Sequence, residues 1–277
     1  MSLPRRGRTF VAALLTFAAC GGLTTLALSG EARADDETGV LMTGHRTFES
    51  PQNFNIELRF SPYTPRVDYD PSLSGTPYTS TFGTSARIEF AMEFDWEALR
   101  IPHLGTIGPG LSLGYTEMSA LALLANPPAP PKSPYSAENT NLAIYPMYAV
   151  VVLRADVLDR EAHIPFVPYI KVGLGMALWR AYNDGGTSSV PNGSGGTIQG
   201  QGHTVGTQVA LGLSFDLNVL DAHTAREFDN ALGVNHTYVF GEAYVAGLTG
   251  LGQSHAMYVG NGSFTAPAWA FGLAFEF

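Results

Sequence analysis

The sequence predicts an all-β protein, an eight-stranded antiparallel up-and-down transmembrane β-barrel that follows an export leader. Three observations predict it: a secretion-type N-terminus, long segments in which apolar and polar residues alternate with a period of two, and a terminal aromatic at the end of the last such segment.

The leader comes first. Arg5, Arg6 and Arg8 precede an apolar stretch from Phe10 to Leu28, and Ala32-Arg33-Ala34 gives the small-x-small pattern that a signal peptidase cuts. Residues 1–34 are therefore expected to be a cleavable signal peptide, 35–51 an N-terminal periplasmic segment and 52–277 the barrel. Phe17-Ala18-Ala19-Cys20 loosely resembles a lipobox, but the apolar run continues past the cysteine, so Cys20 is expected to leave with the leader. The processed chain then holds no cysteine, which excludes disulfides, thiol catalysis and cysteine-based metal sites.

Removing the four arginines and one glutamate of residues 1–34 from the chain's 15 basic and 24 acidic side chains leaves 11 and 23, a net charge of −12. A chain so acidic is not expected to bind nucleic acid. Few charges, abundant glycine and many aromatics fit a β-rich chain broken by turns.

Beyond the leader, no apolar run reaches the roughly 17 residues of a spanning helix; Ala143 to Leu153 comes nearest. Alternation is plentiful instead. From Asn53 to Phe60 four apolar residues share one face and four polar ones the other, and from Ser85 to Trp96 the same period places Ala86, Ile88, Phe90, Met92, Phe94 and Trp96 together. Strands of soluble sandwiches average about five or six residues, so segments this long favour a tilted membrane crossing. Strands are expected at 52–60, 85–96, 104–115, 141–153, 166–179, 203–216, 236–246 and 264–277. A sheet in lipid must close on itself, because hydrocarbon offers the backbone no hydrogen-bond partners.

The long connections 61–84, 116–140, 180–202 and 247–263 alternate with shorter ones, which puts both termini on the periplasmic side. The sixth connection, 217–235, is long for its side. Asp221 there reads as the cap of a short helix with Ala225, Phe228 and Leu232 on one stripe, closing before Gly233. Pro109, Pro146, Pro168 and Pro267 each remove a ladder donor, so bulges or shifted boundaries are expected at them. Phe94, Trp96, Phe166, Tyr169, Phe215, Phe275 and Phe277 at one set of strand ends, and Phe60, Tyr115, Trp179, Tyr182 and Phe264 at the other, read as two interfacial girdles. The apolar Ala120 to Ala125 either extends the third strand or folds over the mouth as a lid, and the proline run at 127–131 reads as solvated loop.

The chain ends Gly272-Leu273-Ala274-Phe275-Glu276-Phe277, and Gly272, Phe275 and Phe277 resemble the signal read by the barrel assembly machinery. With the leader and the strand count, the whole processed chain resembles the small outer-membrane barrels of the OmpA and OmpX type. Phe54-x-x-Glu57-Leu58-Arg59-Phe60-x-Pro62-Tyr63-x-Pro65 and Gly233-Val234-Asn235-His236-Thr237-Tyr238 are similar to stretches of an uncharacterised family of myxobacterial outer-membrane barrels. The resemblance implies the fold, outer-membrane lipid and lipopolysaccharide as surroundings, and no activity.

By strand parity the lumen receives Glu57, Arg59, Arg87, Glu89, Glu93, Asp95, Lys171, Asp216, Glu242 and Glu276, seven acids and three bases. Eight strands enclose a space that side chains fill, so these groups are expected to form an ion-paired network. Small inward residues at Gly108, Gly110, Ser112, Gly114, Gly173, Gly175, Ala177, Ala266, Ala268, Ala270, Gly272 and Ala274 either leave a cavity or make room for long side chains opposite. Ser254, His255 and His203 near one rim form no nucleophile, base and orienter at a recognisable spacing, and His103, His163, His223 and His236 show no metal-ligand pairing. The expectation is a monomeric, non-enzymatic envelope barrel without cofactor or metal, having a structural or surface-interaction role. A narrow conduit for small or apolar molecules is the alternative, and a lipid-modifying rim enzyme ranks behind both.

Overall fold

A computed structural model describes residues 53–124, 133–193, 195–253 and 256–277. The expected leader and periplasmic segment, Cys20, the proline run at 127–131, Ser254 and His255 lie outside the described residues. Among the described residues, eight long strands form the wall: β1 Phe54–Tyr63, β2 Arg87–Trp96, β3 Gly105–Leu123, β4 Tyr135–Arg154, β5 Phe166–Asn183, β6 Gln201–Asp216, β7 His236–Gly247 and β8 Ala268–Glu276. Each pairs antiparallel with its sequence neighbour.

The ring closes where β8 pairs β1, in a register from Asn55 opposite Glu276 to Phe60 opposite Phe271. Backbone bonds carry the closure to the chain's last residue: Asn53 N–H and Phe54 N–H donate to the Phe277 carbonyl at 2.8 and 3.1 Å, and Phe277 N–H donates to the Phe54 carbonyl at 2.8 Å. A closed ring gives every wall strand a partner on both sides, although β3 beyond Tyr115 pairs only with β4.

Strand ends differ from the sequence expectation mainly at the end of the barrel away from the termini. β3, β4 and β5 run well past the expected 115, 141 and 179. Ala120 to Leu123 thus belong to a strand extension and not to a lid, because Ala120 and Leu121 pair with Thr140 and Asn139 of β4. β8 starts at Ala268, later than expected, since Ser263 and Ala266 bridge one another in a tight turn before Pro267. Pro109, Pro146 and Pro168 sit inside strands whose register runs through them unshifted; the irregularity lies between Leu121 and Leu123 instead. Each proline forfeits one donor, and the rest of the ladder holds the register.

Of the three short connections at the terminal end, that between β2 and β3 carries the small strand Leu99–Ile101, and that between β4 and β5 the helix Val157–Ala162. The third holds the capped helix the sequence announces, Ala222–Leu232. The Asp221 carboxylate accepts from His223 N–H at 3.0 Å and Thr224 N–H at 3.1 Å, and Gly233 ends the helix at φ 72°, a left-handed turn that glycine adopts freely.

At the loop end the segment after β1 folds back over the mouth. Asp68 caps its helix Pro77–Phe82 by accepting from Tyr78 N–H at 2.7 Å and Thr79 N–H at 2.9 Å. Val67 and Tyr78 are thereby buried with Tyr63, Met118, Leu142, Ile144, Leu248 and Val259. The segment between β7 and β8 enters the same mouth: Val259 N–H donates to the Leu248 carbonyl at 3.1 Å, and the Tyr63 hydroxyl bonds the Val259 carbonyl. The interior is therefore ionic at its waist and apolar at its loop end. Strand alternation does not announce that division, because inward Met118, Leu142 and Ile144 lie on stretches expected to be loop or strand tip.

Candidate functional site

The waist is built by parity. In β1 and β2 every second side chain points inward, so Asn55, Glu57, Arg59 and Ser61 face the lumen beside Glu89, Ala91, Glu93 and Asp95. The pairing register puts Glu57 directly opposite Glu93, and two like charges so placed repel unless a cation stands between them. Lys171 of β5 is that cation. Its Nζ is 2.6 Å from Glu57 Oε2, 2.5 Å from Glu93 Oε1 and 3.5 Å from Glu242 Oε2, and all four side chains are fully buried.

Two arginines complete the network. Arg59 donates to Glu93 Oε2 at 3.0 Å and to Glu242, while Arg154 reaches Glu57 Oε1 at 2.5 Å, Asp95 Oδ2 at 2.9 Å and Glu97 Oε1 at 3.8 Å. Aromatic faces close around the cations: Tyr169 lies 4.9 Å from Lys171 Nζ and 5.3 Å from the Arg154 guanidinium, and Tyr244 lies 5.6 Å from that of Arg59. Glu57, Glu93 and Asp95 bring ligand atoms close enough together for a cation, but Lys171 and Arg154 already bond to them.

The other expected lumen residues lie away from this waist. Glu89 stands toward the loop end and accepts from the Tyr244 hydroxyl at 3.2 Å; that hydroxyl also meets Ser61 Oγ at 2.7 Å and Asn261 Nδ2 at 2.8 Å. Asp216 and Glu276 lie at the terminal end, where Asp216 Oδ2 is 2.8 Å from His236 Nδ1 and Glu276 accepts from the Tyr238 hydroxyl at 2.8 Å. Arg87, at the loop end of β2, is half-buried and outside the network.

Sequence reasoning missed Arg154 and Glu97, since the strands were expected to stop at 153 and 96. It also missed Tyr169 and Trp179 as interior residues, having assigned both to girdles. Parity was the available signal, because Tyr169 shares the inward phase of Lys171, and Trp179 that of Gly173, Gly175 and Ala177.

Small residues make room for large ones across the lumen. A side chain on Gly110 would strike Asp95, one on Gly114 would strike Glu89, one on Gly175 would strike Tyr148, and one on Gly212 would run into the Tyr169 ring. Beside Arg59, Glu89, Tyr148, Gln208 and Tyr244 there remains a cavity of about 10 Å³, no more than a single water needs.

Asn261 fastens the β7–β8 segment into the mouth. Its side chain donates to the Pro62 carbonyl at 3.0 Å and to the Tyr244 hydroxyl at 2.8 Å, and its backbone bridges Ala246. Asn261→Ala is expected to lower stability by about 1–3 kcal/mol, because partners of a buried amide are left unpaired. Limited proteolysis should then cut between 249 and 260 faster than in the parent; an unchanged cutting rate would contradict the anchoring role.

Glu97 lies beyond the end of β2. Burial, reinforced by repulsion from Glu276, pushes its carboxyl up to about 7 against the pull of Arg154. The folded protein keeps this proton where the unfolded chain has lost it, so the contribution of Glu97 to stability is most favourable below about 4.5 and declines as pH rises toward 7. Glu97→Gln should therefore match the parent near pH 4 and exceed it near pH 8 in urea-unfolding midpoint. Equal midpoints at pH 8 would show that Arg154 fully compensates the charge.

The fold and the site define a class: a closed antiparallel barrel of eight strands, ion-paired within and apolar without. Among solved structures the chain is similar to the N-terminal β-barrel domain of OprF from Pseudomonas aeruginosa, with 8% sequence identity, a TM-score of 0.34, and 82% of this chain and 100% of that one covered. No protein-family model and no curated protein matches the sequence.

Proposed function

We propose that the chain is an outer-membrane protein of a Gram-negative envelope, exported on a cleavable signal peptide, with a non-enzymatic structural or surface-interaction role. The observation that carries this reading is the inversion of the wall. Leu174 and Leu211 are 66% and 65% exposed on the outside while Lys171, Glu57, Glu93 and Glu242 are wholly buried within. Phe60, Phe90, Phe94, Trp96, Leu113, Trp269 and Phe271 extend the outward belt. Water would penalise such a surface, at about 1.5–3 kcal/mol for each large side chain that could have been buried, whereas hydrocarbon rewards it.

The surroundings are then outer-membrane lipid and lipopolysaccharide, and the barrel assembly machinery reads Gly272, Phe275 and Phe277. The protein acts as a monomer and takes no nucleic acid, in keeping with its acidity. Filled packing around a residual space of about 10 Å³ favours a strut over a conduit, and pairing of the waist carboxylates Glu57, Glu93, Asp95 and Glu242 with Lys171, Arg59 and Arg154 favours scaffolding over catalysis.

The test is biochemical. The purified protein is expected to need detergent, to migrate differently on gels before and after boiling, to give no discrete conductance in planar bilayers, and to leave added phospholipid and lipid A unmodified. Solubility without detergent would refute the membrane reading, conductance steps would replace the strut with a conduit, and modified lipid would reveal an enzyme.

A further inference from the structure

With the helices Pro77–Phe82 and Val157–Ala162 as α1 and α2, the helix Ala222–Leu232 is α3, and it is far more exposed than a helix that packs on its own protein. Ala225, Phe228 and Leu232 fall on one stripe at helical spacing, with Phe228 43% and Leu232 64% exposed. Val219 and Leu220, in the turn just before it, are 53% and 72% exposed. The opposite face is polar and exposed, carrying His223, Arg226, Glu227 and Asn230.

Two observations identify what covers the stripe. The first is place in the chain: it leaves the apolar belt at Leu213 and Phe215 of β6 and re-enters it at Val239 of β7, so the exposed apolar residues belong to a segment held to the belt at both ends. Only Gly233, Val234 and Asn235 separate the helix from β7. The second is size. Four large side chains present less than the roughly 800 Å² that each partner buries in a stable protein interface, whereas an interfacial helix seats in lipid with no such minimum and adds to a contact the barrel already makes.

We propose that α3 is a membrane-surface helix, its Phe228–Leu232 stripe with Val219 and Leu220 seated in the lipid leaflet at the terminal end of the barrel and its polar face turned to water. The proposal rests on the membrane reading of the belt, and the test separates the two. In a Cys20→Ser full chain, which then holds no other cysteine, single cysteines are introduced by Phe228→Cys, His223→Cys and Leu213→Cys and labelled with an environment-sensitive fluorophore. The folded proteins are reconstituted in phosphatidylethanolamine–phosphatidylglycerol vesicles with or without brominated lipid.

Labels at 228 and 213 are expected to emit to the blue and to lose intensity about two-fold or more with brominated lipid, while the label at 223 stays in water. Quenching at 213 without quenching at 228 would overturn the proposal alone, and would mean that the stripe stays wet or meets protein. No quenching at 213 would overturn the membrane reading and the proposal with it. Leu232→Cys supplies a second reporter on the stripe should the substitution at 228 impair folding.

Discussion

Lys171→Met is expected to destabilise the barrel by about 3–5 kcal/mol, because it strips the shared cation from a fully buried group of carboxylates. Methionine matches the lysine stem in volume, so the loss would come from charge and not from a void. Glu57 and Glu93, opposed in the register, would be left to repel each other with only Arg154 and Arg59 at their outer sides. The double variant Lys171→Met/Glu93→Gln should recover a large part of the loss, since Glu57 keeps Arg154 and Glu242 keeps Arg59. Urea unfolding in detergent micelles measures both. A single variant within 1 kcal/mol of the parent would show that the lysine is dispensable, and a double variant no better than the single one would place the loss elsewhere.

Gly272→Val should be comparably damaging by a different route. A Cβ at this position would collide with the Leu58 backbone carbonyl across the β8–β1 seam and with the Phe240 ring, and a backbone atom cannot swing aside as a side-chain tip can. Overpacking of this kind costs about 1–3 kcal/mol in an ordinary core, and here it falls on the pairing that closes the ring. Refolding yield, read as the fraction running in the compact unboiled form, is expected to collapse. Gly241→Ala is the control, because its Cβ would meet only the Phe271 ring at ordinary contact distance. Equal yields for the two variants would contradict the assignment.

Much of the barrel is legible in the sequence because one local rule repeats. Alternation from Asn53 to Phe60 and from Ser85 to Trp96 reports which face each residue takes, and Asp221 and Gly233 bracket α3 with the two residue types that start and stop helices. The lumen was legible only in part. Parity put Glu57, Arg59, Glu93, Asp95, Lys171 and Glu242 on the inward face, and these six meet at the waist with Arg154, which parity did not name because its strand was expected to stop one residue earlier.

What the rule could not reach depends on position along the third dimension. Asp216 and Glu276 share the inward phase of the waist residues but lie at another height, and height follows from the tilt and stagger of strands, which no short window of sequence encodes. The mouth was hidden for a related reason. Val259 and Asn261 lie in a segment with no period at all, and they are buried because Tyr63, Pro62 and Tyr244, nearly 200 residues earlier or on the neighbouring strand, receive them.

The bonds between Asn53, Phe54 and Phe277 set the order in which this molecule can come into being. The seam joins β1 to β8, so β1 must wait, with one side unsatisfied, until β8 has been made and delivered. In the membrane setting proposed above, a chain lacking β8 would gain nothing from a part-built wall, since hydrocarbon tolerates no unpaired backbone. On that reading insertion should be a single event timed by the arrival of β8, and any helper that holds the chain must shelter β1 to β7 until then.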